Sequence, residues 1–276
     1  VRGVLEGAEI VDVGLPTEDE AVQMLLSIAG LPLDADAPPE AREVVKFCDR
    51  LPLALGIAGK LVHEMGVTDD WDGVVELMQE EFSDSGQDRS MEERIIRTSL
   101  NAIKGPHRDK ILRLFDAFAI VPEDTRTPVE MVAMLFEAES ETPLAKPPSL
   151  LNIRRWLKVL IDRSLILGTV DLPSLHDIVR EFVIAQHSDE ELRQAHRRLV
   201  DLLREARPTD AATEQCEWNN AGNTATSNYV LDFAQEHIRH GWSVDWSSDE
   251  HAIALAVEGY RRQRRDAGLG ERSHVH

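Results

Sequence analysis

Apolar residues recur at spacings of three and four along most of this chain, and this periodicity predicts a mainly α-helical protein. The first helix is marked most clearly. Thr17 followed by Glu20 is the pattern of a capping box, in which each side chain bonds to the backbone of the other residue. Leu25 and Ile28 then fall on one helical face, and Gly30 supplies the glycine that commonly ends a helix.

Turn-rich segments between the helical patterns divide the chain into five predicted regions. Residues 1–14 contain a short strand, 15–85 form a small helical bundle, 90–187 form a second subdomain, 188–267 form a helical extension, and 268–276 form a disordered tail. Within the extension we expect a loop over 208–227, which has few large apolar residues, and a last helix over 248–267. The polar segment 83–88 marks the boundary between the first two helical regions, because serine, aspartate and glycine favour turns.

The second subdomain has the element order of a winged helix. Helical patterns lie near 91–103, 106–119, 128–137 and 150–163. An apolar strand over 165–170 and a short second strand reaching Leu175 follow them. In a winged helix three helices precede a two-stranded wing, and the last three of these helical patterns precede the two strands. The predicted fold is therefore a small helical bundle followed by a winged-helix domain and a C-terminal helical extension.

Charge and cysteine content restrict the classes of partner. The chain of 276 residues has 50 acidic and 30 basic residues, a formal net charge of −20. Such a surface repels nucleic acid and acidic membranes, and no run of about 18 apolar residues predicts a membrane span. Two cysteines, Cys48 and Cys216, are too few for a disulfide framework. We therefore expect a reducing, cytoplasmic compartment and a buried Cys48 thiol.

The sequence lacks the residues that nucleotide hydrolysis requires. The nearest approach to a phosphate-binding P-loop is Gly56–Leu61, but its first glycine is misplaced and Leu61 has no hydroxyl for magnesium. We find no nucleophile–base pair and no metal-ligand spacing. We therefore expect no metal site and no ATP hydrolysis by this chain alone.

Arg50-Leu51-Pro52-Leu53 is the first of two informative segments. A structural interpretation is a loop-to-helix junction, since proline is favoured at the first helical position. A functional interpretation is that Leu51, Pro52 and Leu53 form a rigid, apolar surface that packs against an adenine ring.

Leu175-His176-Asp177 is the second segment. In a structural interpretation Asp177 caps the following helix and His176 is a partly buried histidine. In a functional interpretation His176 lies at a helix start beside backbone N–H groups, an environment that suits an anion.

Taken together and in this order, the two segments resemble the nucleotide-sensing motifs in the ARC half of NB-ARC proteins, which are STAND-class signalling NTPases. The first resembles the family's "GLPLAL" box, with Arg50 in place of its first glycine. The second resembles its "MHD" box, with Leu175 in place of methionine. Phe115–Thr125 and Trp156–Ile166 look like passages of the family's winged helix, so that the resemblance covers about residues 10–187.

The resemblance implies an ADP/ATP-binding regulatory half of a signalling switch of the apoptotic or immune type. Leu51, Pro52 and Leu53 would contact adenine, His176 the β-phosphate of ADP, and Asp177 would orient the site. A nucleotide-binding core outside this chain would hold the magnesium ion, and residues 1–14 would be its remnant. Exchange of ADP for ATP would release the winged helix and permit homo-oligomerisation in a slow switch ATPase whose effector proteins the sequence does not identify.

Two other functions stay open. Arg154, Arg155 and Lys158 lie in the helix that would enter DNA in a winged-helix regulator, although the net charge disfavours nucleic acid. A helical interaction scaffold that binds no nucleotide is the other alternative.

Overall fold

The computed structural model describes residues 14–32, 37–65, 71–84, 89–140, 147–205 and 224–241. Within these ranges the protein is mainly α-helical, with eleven α-helices, one 3₁₀ helix and one two-stranded sheet. This confirms the prediction of a mainly α fold. No helix in the described ranges is long and apolar enough to cross a membrane. The strand predicted before residue 14, the helix predicted at 248–267 and the tail at 268–276 lie outside the described residues.

The chain divides into two compact units, Val1–Ala102 and Ile103–His276. The first unit contains five helices: α1 Glu18–Ala29, α2 Pro39–Phe47, α3 Pro52–Glu64, α4 Trp71–Asp84 and α5 Met91–Asn101. Helix α3 contacts α1, α4 and α5, and its apolar residues Leu55, Ile57 and Leu61 are among the largest fully buried side chains. The core of the first unit is therefore built around α3.

The capping signals in the first unit are confirmed. Thr17 caps α1 and forms the predicted capping box with Glu20, and Gly30 ends the helix in a left-handed conformation with a φ of 75°. Pro52 occupies the first position of α3. These signals are local, so that the beginning of α1 and α3 and the end of α1 could be predicted within a residue or two.

The second unit contains the remaining elements: α6 Arg108–Asp116, the 3₁₀ helix Ala117–Ile120, α7 Val129–Ala138, α8 Leu150–Asp162, β1 Leu167–Gly168, β2 Pro173–Ser174, α9 Asp177–Ile184, α10 Asp189–Glu205 and α11 Thr224–Gly241. The 3₁₀ helix contacts α6, α7, α9 and α10, and all four of its residues are buried. It is the hub of this unit.

A short antiparallel hairpin joins α8 to α9. Leu167 pairs with Ser174 and Gly168 pairs with Pro173. Gly168 has a φ of +84°, and a Cβ there would lie 2.5 Å from the carbonyl oxygen of Leu172, so that only glycine fits this corner. The backbone N–H of Thr127 donates to the carbonyl of Pro173 at 2.8 Å, which fixes the hairpin beside the start of α7.

The structure differs from the sequence-based expectations at three boundaries. Helix α5, expected in the second subdomain, belongs to the first unit because it packs against α3 and α4 and buries Ile95 and Ile96 there. The predicted strand over 165–170 shortens to two residues, because the backbone N–H groups of Leu165 and Ile166 donate to the carbonyl oxygen of Leu160 near the end of α8. Residues 224–227, expected in a loop, begin α11, where Thr226 is buried.

The expected extension also begins within the second unit. Helix α10 contacts α7 and the 3₁₀ helix, and α11 packs on α10. Buried Leu199, Val200 and Leu203 line the apolar face of α10. Burial of this face explains why α10 packs as an element of the unit.

Candidate functional site

The turn between α2 and α3 shapes the first candidate segment. Cys48 ends α2, and Asp49 and Arg50 then both adopt left-handed backbone angles, with φ values of 46° and 58°. The guanidinium Nη1 of Arg50 donates to the carbonyl oxygen of Pro16 at 3.3 Å. Arg50 therefore occupies a backbone conformation that favours glycine.

Leu51, Pro52 and Leu53 leave this turn as an accessible apolar corner. Pro52 is exposed, and the two leucines on either side of it are half-buried. Leu51 lies at the N-cap of α3 in extended backbone and makes no side-chain cap. The corner is rigid because Pro52 fixes its own φ and because Leu55, one turn later, is fully buried in the core.

Cys48, just before this turn, is part of the core. Its side chain is fully buried, and burial raises the pKa of the thiol well above the ordinary value. A thiol that stays protonated is a poor nucleophile and metal ligand. Cys48 is therefore a packing residue, as the sequence predicted.

His176 lies at the N-cap of α9 and is exposed. Its ring nitrogen Nδ1 accepts a hydrogen bond from the backbone N–H of Ile178 at 3.3 Å. The capping residue is therefore His176, and the structural interpretation in which Asp177 caps the helix and His176 is partly buried is wrong. Because Nδ1 accepts this bond, the proton of the neutral ring lies on Nε2, which becomes a donor on an exposed side chain.

The segment around His176 is anchored to the hub of the second unit. The guanidinium Nε of Arg180, one turn into α9, donates to the carbonyl oxygen of Val121 at 2.9 Å. Asp177, the first residue of α9, is exposed, where its negative charge favours the helix N-terminus. The anchoring fixes the start of α9, and with it the backbone that carries His176.

The five residues predicted for the nucleotide site are divided between the two units. Leu51, Pro52 and Leu53 lie in the first unit, and His176 and Asp177 lie in the second. Within each unit the predicted residues lie at the start of a helix and reach the surface, apart from the half-buried leucines.

The basic residues of α8 are partly paired with acids. Arg154 Nε lies 2.8 Å from Asp171 Oδ1 in the hairpin turn, and Lys158 Nζ lies 2.8 Å from Asp162 Oδ2 on the same helix. Such exposed pairs contribute little to stability, but each acid lowers the positive charge that this face would present to a phosphate.

A cluster of aromatic and imidazole side chains between α10 and α11 was not predicted from the sequence. His196 of α10 meets His237 of α11, with 2.9 Å between their Nδ1 atoms, and His237 also contacts the hydroxyl of Tyr229. The histidines appear scattered because 41 residues separate this pair in the chain. Within the described residues, no group of three or more histidine, cysteine or acidic side chains is arranged to hold a metal ion.

Comparison of the chain with protein-family models gives no match, and neither does comparison with curated proteins. The case for a function therefore depends on the residues of the two candidate segments and on their local geometry. Each of those segments combines a helix start with side chains that a bound nucleotide could reach.

Proposed function

We propose that this chain is the regulatory half of an NB-ARC-type, nucleotide-dependent signalling switch. In this proposal residues Leu51–Leu53 contact the adenine of ADP, and His176 contacts its β-phosphate. The observation that carries the proposal is the geometry of His176. It is an exposed N-cap residue whose Nδ1 is already occupied by the backbone, so that Nε2–H is the donor available to a phosphate oxygen.

Local electrostatics support the same role. The N-terminus of α9 carries partial positive charge from its unpaired backbone N–H groups. An anion at this end is favoured, and a histidine donor beside it adds a directed hydrogen bond. Asp177 sits next to the ring at the first position of the helix, where it would orient the site.

The apolar corner suits the other end of the nucleotide. A purine ring needs a flat, apolar surface that does not move, and Pro52 has no backbone N–H that would require solvent. Exposure of Pro52 between half-buried leucines supports this use. The first turn of α3 has no side-chain cap, so that its backbone N–H groups stay available to polar atoms of the base.

The element order of the second unit supports a winged helix as the part that moves. Helices α6, α7 and α8 are followed by the β1–β2 hairpin and then by α9 with its histidine. In the proposed mechanism ADP binds the closed arrangement more tightly than the open one, because only the closed arrangement brings His176 to the β-phosphate. Exchange then shifts the population towards an open, oligomerising state.

The remaining phosphate and magnesium contacts require a P-loop, which the sequence of this chain does not contain. The experiment therefore uses the protein in which this chain is joined to its nucleotide-binding core. We expect His176→Ala to lower the ADP that co-purifies with the protein and to raise the ADP dissociation rate by about tenfold to a hundredfold, the effect of losing one hydrogen bond to a charged group.

The matched control is His107→Ala, which removes an exposed histidine from the loop before α6. This variant should retain ADP as the wild type does. Unchanged ADP content and dissociation rate in the His176→Ala protein would contradict the role of His176. An absence of ADP from the joined wild-type protein would contradict the switch itself and favour the interaction scaffold.

A further inference from the structure

Helices α10 and α11 are joined through a polar cluster that we call the histidine latch: the buried Tyr229, His196 and His237 and the exposed His240. His237 is fully buried, and His196 is 8% exposed. The ring of His240 stacks on His196 with 5.0 Å between ring centroids. Helix α11 packs mainly against α10 and also touches α7. The latch therefore lies in the main interface that holds α11 in place.

The hydrogen bonds of the latch leave room for only one proton between the two buried rings. The Nδ1 atoms of His196 and His237 are 2.9 Å apart, and the hydroxyl oxygen of Tyr229 is 3.0 Å from Nε2 of His237. One Nδ1 must donate and the other must accept. If both rings became imidazolium, two N–H groups would face each other across 2.9 Å, and the bond would be replaced by repulsion.

The surroundings of the latch do not compensate added positive charge on these rings. The groups that act electrostatically on His196 are His237, His240 and Arg180 of α9, all of which are cationic when protonated. Glu236 lies 3.9 Å from Nε2 of the exposed His240. Helix α7 carries Glu130 and Glu137, and the 3₁₀ helix has no ionisable side chain.

We propose that the histidine latch is an acid-sensitive contact, which holds α11 on α10 while both buried rings are neutral and releases it when they are protonated. Release would expose the buried face of α10 and the buried residues of α11, including Val230, Ala234 and Ile238. Such a device would make the end of the second unit responsive to mild acid. It is independent of any nucleotide.

The sign of the effect follows from linkage. Burial, with neighbouring positive charge, lowers the pKa of His196 to about 2 and of His237 to about 3, from an ordinary value of 6.5. The closed state is therefore fully favoured above pH 6.5. Below pH 6.5 only the open state takes up protons. Protonation of each ring in the open state then raises the opening equilibrium constant by about tenfold for each pH unit. For two rings, opening should rise about 100-fold between pH 7.5 and pH 5.5.

Hydrogen exchange measured locally by mass spectrometry tests this inference. Exchange of the α11 amides, corrected for intrinsic rates, should show this rise, while peptides from α8 should not. A local measurement is needed because burial also raises the pKa of Asp116 to about 6. That group is protonated more readily in the folded protein, so it adds stability as the pH falls through 6 and would mask the latch in a global measurement.

The variant carrying both His196→Gln and His237→Gln keeps polar side chains but cannot titrate. It should lose the pH dependence of α11 exchange, whatever its absolute rate. His107→Gln, an exposed histidine of the same unit, should keep the full dependence. In the wild type, nitrogen-15 spectra should show two imidazoles that stay neutral at pH 5.5 while α11 is closed. Titration of all histidines near 6.5 with α11 still protected, or an unchanged slope in the double variant, would overturn the proposal.

Discussion

Arg50 combines a strained backbone with a side-chain contact that offsets the strain. Its φ is 58°. A residue with a Cβ adopts such a backbone angle at a cost of about 1–2 kcal/mol. Its guanidinium group meanwhile ties the turn to the carbonyl of Pro16, just before α1. The residue therefore holds the turn in the shape that a glycine would adopt, and it adds a bond that glycine lacks.

Two substitutions at this position separate the backbone from the side chain. Arg50→Gly and Arg50→Ala both remove the bond to Pro16, but only alanine keeps a Cβ in the left-handed region. We expect the alanine variant to be less stable than the glycine variant by about 1 kcal/mol, measured as the difference in urea unfolding free energy. Equal stabilities would mean that the turn relaxes to another conformation.

Sequence reasoning at the residue scale succeeded where the signal was local. Pro52 at the first helical position could be predicted because its fixed φ and missing N–H act within one turn. The capping role of His176 could not, since aspartate at the next position is the stronger statistical candidate and only the backbone geometry selects the imidazole. That Arg50 could adopt the glycine conformation was likewise not evident from residue type.

Helices α1 and α3 approach closely at one glycine. A Cβ built on Gly59 would lie 2.7 Å from Cγ2 and 2.8 Å from Cβ of Ile28, and 3.2 Å from the carbonyl oxygen of Leu25. Gly56, one turn earlier on α3, has no atom within 4 Å of such a Cβ. The two glycines of the rejected P-loop pattern therefore differ in role, and only Gly59 sets the distance between helices.

Alanine substitutions at these glycines form a matched pair. Gly59→Ala should lower the free energy of unfolding by about 1–3 kcal/mol, because the new methyl group overlaps Ile28. Gly56→Ala should raise it by up to about 1 kcal/mol, because alanine favours the helix and meets no neighbour. Urea unfolding followed by circular dichroism gives both values. Similar effects of both substitutions would contradict the close approach of α1 and α3.

Element boundaries were predictable to the extent that helix ends carry their own signals. Thr17, Glu20 and Gly30 fix both ends of α1 through bonds within a few residues. The assignment of α5 to the first unit depends instead on the packing of α5, with its buried Ile95 and Ile96, against α3 and α4. Local sequence signals do not predict this packing. His196 and His237 are also far apart in the chain, and the residues around each of them do not predict their contact.

Charge is the property that acts over the whole molecule. A formal net charge of −20 sets up a field that opposes the approach of polyanions. The basic face of α8 is too small to reverse this, because Asp171 and Asp162 accompany Arg154 and Lys158 at 2.8 Å. The arrangement of charge thus disfavours nucleic acid as a ligand.

We therefore expect no saturable binding of labelled duplex DNA to this chain, even at about 50 mM salt, where phosphate contacts are strongest. The fluorescence anisotropy of the labelled DNA, followed as the protein is added, measures this binding directly. If binding were seen and fell steeply with salt, the variant with Arg154, Arg155 and Lys158 changed to alanine would decide its origin. Loss of binding in that variant would favour the DNA-binding regulator over the nucleotide switch.

The buried phenol of Tyr229 gives the protein an optical property as well. The chain has two tyrosines, and burial, with Glu236 nearby, raises the pKa of Tyr229 above its ordinary value. In alkaline solution Tyr229 therefore does not ionise, and the ultraviolet absorbance of tyrosinate does not appear from it, for as long as α11 stays packed on α10. As the pH is raised, the delayed appearance of that absorbance therefore reports the detachment of α11 from α10, without any added label.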